Sequence, residues 1–242
     1  KEAEDKALLD FINSKPELKQ KYGTLMADID KHYDVVFADA EKELWYNNIY
    51  SGIRLLQVSS LVNSFKEALG KELSTAKREE LFKVNIDQFK KQLTPLYEGY
   101  NLAVDKTIGG HMFEQAYQLN GANRIASVQA KNFKSQQDAA NYIQSALDKS
   151  AMNDMDKFVS TVLKNASSLM AYNDDLLKFQ DELYKETAPF RDEQKRREGN
   201  LNKLMADYVA VKEQFQSKNF IPDANSTLRL TFGNIKGYSP VD

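Results

Sequence analysis

The sequence contains no cysteine, which excludes disulfides, thiolate metal sites and a cysteine nucleophile. An exported bacterial protein is compatible with that lack. Only two histidines are present, His32 and His111, and only one tryptophan, Trp45. No run of about 18 apolar residues occurs, so no membrane-spanning helix is expected. No excess of basic charge exists either: 33 Lys and Arg stand against 35 Asp and Glu, a net charge of −2. Nucleic acid is therefore a poor partner. The densest basic cluster, Lys195-Arg196-Arg197, is flanked by Asp192, Glu193 and Glu198 and reads as a solvated helix face. Proline and glycine are scarce, at 5 and 10 in 242 residues, which leaves long uninterrupted segments. With 42% hydrophobic residues the chain can bury a core.

What fills those segments is mostly helical periodicity. Ala7, Leu8, Phe11 and Ile12 share a face in the first segment, Lys1–Asn13. Ser14 and Pro16 open a short helix that Gly23 closes. Thr24 starts a long stretch to about Leu69, with Met26, Ile29, Tyr33, Val36, Phe37, Ala40 and Leu44 as one apolar stripe and a kink expected at Gly52. Ser74-Thr75 resembles a capping-box start for a helix to Leu93. Thr94-Pro95 predicts a further start, since proline suits the first helical position. Gly109-Gly110 predicts an interruption, and Asn120-Gly121 a turn. Residues 122–134 carry little pattern. Ser135 and Asn153-Asp154 predict caps. A helix is expected over 167–185 and a last long one from Thr187-Ala188-Pro189, striped by Leu201, Leu204, Tyr208, Val211 and Phe215. No fixed repeat appears. The expectation is an irregular helical bundle of about eight helices, two of them long, mainly α.

The end of the chain breaks this pattern. Thr227–Ile235 alternates apolar and polar residues, which predicts a half-buried β-strand. No second strand is legible upstream, and a lone strand leaves its ladder groups unpaired. Its partner is expected outside this sequence, and its exposed edge leaves a homodimer open. The chain opens on Lys1 within a helical pattern and closes on turn-like Tyr238-Ser239-Pro240, so it reads as a domain cut from a longer protein.

The motifs offer no active site. Asp28 and His32 (i, i+4) and His111 and Glu114 (i, i+3) read as helical ion pairs, because a metal site needs three or four convergent ligands. No nucleophile elbow, Walker loop or dinucleotide fingerprint occurs. Trp45, Tyr46, Tyr50, Tyr97 and Tyr100 read as core aromatics. Asn165-Ala166-Ser167 and Asn225-Ser226-Thr227 match the short glycosylation pattern. No catalytic residue, metal ligand or cofactor site is assigned.

The segment Phe220–Tyr238 is distinctive. It resembles the Pro-Asp-Ala-Asn-x-Thr-x-Arg-x-Thr-aromatic-Gly-x-aliphatic-x-Gly-Tyr segment of the bacterial dipeptidyl-peptidase 7 and 11 family of serine exopeptidases. The upstream helices, including Lys1–Leu8 and His32-Tyr33, are similar as well. The resemblance implies a chymotrypsin-like double β-barrel with an inserted helical domain, and a peptide substrate held between them. It implies removal of dipeptides from a free N-terminus by a Ser-His-Asp triad. The Gly-Asn-Ser-Gly nucleophile motif of the family is absent, and neither His32 nor His111 lies in the family's catalytic context. Residues 1–219 would then be a helical cap, truncated at its start. Residues 220–242 would be the linker and strand re-entering the barrel outside this chain. The implied role is a lid that gates substrate access, hinged near Asn219–Asn225 and near Lys1, in a fragment itself inactive. The implied partners are the β-barrel domain of the same parent and the parent's peptide substrate. Its place would be the bacterial periplasm or cell surface, and the acidic-specific branch is the nearer likeness. Asp223, Asn225 and Arg229 are expected to stabilise the domain junction through an Asx turn and a forked ion pair. The alternative is a stand-alone helical interaction module.

Overall fold

The computed structural model describes residues 2–217 and Gly233. The described residues divide into two compact units, one taking 2–28 and 202–217 and the other Ile29–Leu201. Among them are twelve α-helices and no strand. The strand expected at Thr227–Ile235 lies, Gly233 apart, outside the described residues. So do residues 220–222 and the junction residues Asp223, Asn225 and Arg229.

The first unit holds α1 (Glu2–Ser14), α2 (Pro16–Tyr22) and the end of α12 (Asp175–Gln216). Pro16 stands at the first helical position, where its missing N–H has no partner to lose. Leu8, Ile12, Leu18, Tyr22 and Val211 are buried. The ring of Phe11 meets that of Phe215 at 5.3 Å, and Tyr208 donates to Asp5 Oδ1 at 3.4 Å.

The second unit is built from α4 (Ala40–Gly52), α5 (Arg54–Gly70), α6 (Thr75–Tyr97), α7 (Leu102–Gln118), α9 (Gln136–Lys149), α10 (Met155–Thr161), α11 (Ala166–Ala171) and the start of α12. Most of α3 (Leu25–Ala38) and the single-turn α8 (Ala126–Gln129) complete it. Its core centres on Phe113, fully buried with its ring 4.9 Å from Phe179, 6.0 Å from Tyr142 and 6.4 Å from Trp45. The side-chain oxygens of Asn101, Ser135, Asp154 and Asn165 cap α7, α9, α10 and α11. Asn165, one of the two glycosylation-pattern asparagines, thus holds Ser168 N at 2.7 Å.

Four expectations are corrected. The stretch from Thr24 to Leu69 is three helices, broken at Asp39, where no break was expected, and fully at Ile53, next to the kink expected at Gly52. At Ile53 the backbone is extended (φ −119°, ψ 102°), and buried Asp105 reaches from α7 to accept Leu55 N–H at 2.9 Å. That carboxylate serves the orphan donors of α5, so a new helix starts where periodicity alone shows none. The break at Asp39 resets the stripe. Trp45, Tyr46 and Ile49 turn inward, while Tyr33, Phe37 and Leu44 stay 40, 70 and 65% exposed. Second, α6 runs through Pro95 to Tyr97, and α12 runs unbroken through Pro189 for 42 residues. Each proline frees the carbonyl four residues earlier, on exposed Lys91 and exposed Lys185, where water can take the bond. Third, α7 continues through Gly109-Gly110. A Cβ on Gly109 would stand 3.2 Å from Ile53 and 3.3 Å from Ile143, so the pair serves close packing of α7 on α5 and α9. Fourth, Ser74 precedes α6 but makes no side-chain cap bond.

Candidate functional site

A groove with a volume of about 790 Å³ lies between α4 and α7. The helices are antiparallel: Gly52 faces Ile108 and Met112, while Lys42 meets Ala122 and Asn123 past the other end of α7. Gly52 is what permits that approach, since a Cβ there would lie 3.0 Å from Met112 Sδ. Glu41, Leu44, Asn48 and Ser51 recur at spacings of three and four and give one wall. Ile108, Met112, Gln115 and Leu119 do the same on the facing side. Trp45 lines the groove too, although it is only 4% exposed, and its indole N–H is spent on Met112 O at 2.8 Å. Exposed Leu44 and Ile108 supply apolar contact, and the amides of Gln115 and Gln118 supply donors and acceptors.

Three carboxylates hold the frame around it. Asp39, at the break between α3 and α4, takes a bidentate bond from Arg197 of α12, at 2.9 Å from Nη1 to Oδ1 and 3.0 Å from Nη2 to Oδ2. Lys42 Nζ stands 3.6 Å from the same carboxylate. Asn123 ties the break from the other side, donating to Ala38 O at 3.2 Å and accepting Lys42 N–H at 3.1 Å. Burial pushes the Asp39 carboxyl up, but the hydrogen bond and charge of Arg197, helped by Lys42, outweigh it and hold it below the usual range. Arg196 and Arg197 donate to Glu193 and hold that carboxyl down at about 2. Glu186 accepts from Tyr46 OH at 2.7 Å, Ala126 N at 2.5 Å and Ser127 N at 2.8 Å, joining α4 and α8 to α12. Asp105 is the third, with its carboxyl raised by burial although Leu55 N–H opposes the shift.

The residues singled out in the sequence are placed as follows. His111 Nδ1 lies 3.2 Å from Glu114 on an exposed part of α7. His32 packs edge-on to Tyr33 at 5.4 Å, and no bond from it to a hydroxyl occurs among the described residues. Trp45 and Tyr46 are buried in the core, and Tyr97 donates to Met152 O at 2.6 Å. Tyr50 and Tyr100 pack against that core, Tyr100 edge-on to Tyr97 at 5.9 Å. No three His, Asp or Glu converge as metal ligands among the described residues. No described helix is long and apolar enough to cross a membrane. The basic cluster is only partly a solvated face: Arg196 is exposed, but the Arg197 side chain is 14% exposed and paired. Its position in the stripe was the available signal, because 190, 194, 197, 201, 204 and 208 share one spacing. The groove itself had none, since α4 and α7 meet only in three dimensions.

Comparison with known proteins gives the family. The Peptidase S46 family matches residues 1–242. An Asp/Glu-specific dipeptidyl-peptidase of Flavobacterium psychrophilum is 26% identical over 235 residues, covering 93% of this chain and 31% of that protein. The protein of the same name from Shewanella putrefaciens is 24% identical over 254 residues, covering 100% of this chain and 33% of that one. The chain therefore spans about a third of the length of the curated relatives it matches. By the match along its full length, the chain belongs to the Peptidase S46 family.

Proposed function

We propose that this chain is the helical gating part of a larger serine dipeptidyl-peptidase that takes dipeptides ending in Asp or Glu from the free N-terminus of peptides. The observation that carries the reading is the match of the whole chain to Peptidase S46, with relatives about three times as long that are named Asp/Glu-specific dipeptidyl-peptidases. The helical architecture supports a cap rather than a catalytic barrel. A cap over a protease cleft excludes water and restricts access to chain ends. The nucleophile, its base and the barrel belong to the rest of the parent, in the bacterial periplasm or at the cell surface. Asp223, Asn225 and Arg229 join cap to barrel; Arg229→Ala then lowers the melting temperature without changing substrate preference.

A panel of dipeptidyl coumarylamides tests the activity on the full-length enzyme. Cleavage after Asp and Glu supports the reading, and cleavage only after hydrophobic residues refutes the acidic assignment. Gating is tested by ligand-free and peptide-bound structures, where an unchanged angle between helices and barrel would sink it.

A further inference from the structure

Resting on that function and deepening it, we propose that the groove between α4 and α7 holds the part of the peptide beyond the cut bond. Within it, Glu41 favours basic over acidic residues. From Glu41 to Gly52 the groove follows eleven steps of α4, about 16 Å at 1.5 Å per residue. An extended peptide advances about 3.3 Å per residue, so the groove fits about five residues, whereas a dipeptide needs only about 7 Å. Its chemistry suits a main chain of any sequence. The side-chain amides of Gln115 and Gln118 bond no protein group among the described residues, and each can offer a donor and an acceptor to a passing peptide. Leu44 and Ile108, 65 and 37% exposed, give apolar footing between them. Asn123 is different: its amide is spent on Ala38 and Lys42.

The charge sets the direction of preference. Glu41 is the one ionisable residue among those described along the groove, and it is exposed. Neighbouring Lys42 does not line the groove; its ammonium sits on Ala122 O at 2.7 Å and 3.6 Å from Asp39. A lone carboxylate repels the acidic side chain that the proposed enzyme selects before the cut. It attracts lysine or arginine arriving after the cut.

The test uses the full-length enzyme and peptides with an acidic second residue, carrying Lys, Gln or Glu at positions three to seven. The readout is kcat/KM for dipeptide release. The Lys series is expected to exceed the Glu series about fivefold. Glu41→Gln flattens the order and Glu41→Lys reverses it. An order that is the same in all three enzymes overturns the assignment. A uniform fall across the three series with a lowered melting temperature also overturns it, and marks the groove as a seat for another part of the parent. A dipeptidyl coumarylamide has no peptide beyond the cut bond. Its hydrolysis with no response of the peptide series to position 41 refutes the groove alone. Failure to cut it or any peptide refutes the underlying activity as well.

Discussion

Removing the Asp39 carboxylate leaves the Arg197 guanidinium, 14% exposed, without its bidentate partner. Asp39→Asn is therefore expected to cost about 2 kcal/mol, because the largely buried guanidinium keeps only Glu193 as a charge partner. Urea denaturation followed by helical circular dichroism checks it. A loss below about 0.5 kcal/mol would class the pair with ordinary surface ion pairs. The pH dependence has a definite sign. The Asp39 carboxyl is held below its ordinary value of 3.8, so its contribution is complete above that pH. It fades as the pH falls through the lower folded value. The difference between wild type and Asp39→Asn should be flat from neutrality to about pH 4 and shrink below it. A difference that grew on acidification would contradict the depressed carboxyl. Arg197 was legible in part, since a charge in the stripe register of α12 calls for a partner. Asp39 was not, because nothing local distinguishes a carboxylate at a helix break from one on a solvated face.

Helix content was legible from the apolar spacing and from Ser135 and Asp154, whose caps form at α9 and α10. The break after Gly52 was expected as a kink, but the one at Asp39 was not, and the groups that hold both are distant in sequence. Leu55 is capped by Asp105, fifty residues on, and the Asp39 joint is held by Arg197 and Asn123. Proline and glycine misled in the same way. Pro95 and Pro189 sit on exposed helix faces, and Gly109-Gly110 answer to neighbouring helices rather than to a turn. The two uses of glycine separate by substitution. Gly109→Leu, forced against Ile53 and Ile143, should cost about 2 kcal/mol or more. Gly199→Ala, in α12 with nothing within 4 Å of the new Cβ, should stabilise by about 0.5–1 kcal/mol through helix propensity. Thermal melts of both variants settle the contrast, and equal shifts of one sign would refute it.

At the scale of the molecule, a helical chain joins a peptidase family while its described residues bring no histidine to a serine or threonine hydroxyl. Family membership was legible in the segment 220–238, and the match over residues 1–242 agrees with it. The groove between α4 and α7 was not legible, since it exists only once residues as distant in sequence as Gly52 and Ile108 lie side by side. On the proposed function, the parent enzyme divides its labour, with chemistry in one part of the chain and selection of free chain ends in another. The direct test is mass spectrometry of a timed digest by the full-length enzyme, using one peptide with an acidic second residue in free and N-acetylated forms. Stepwise loss of dipeptides from the free peptide, with the acetylated one intact, is the predicted result. Internal cleavage of both forms at equal rates would contradict it.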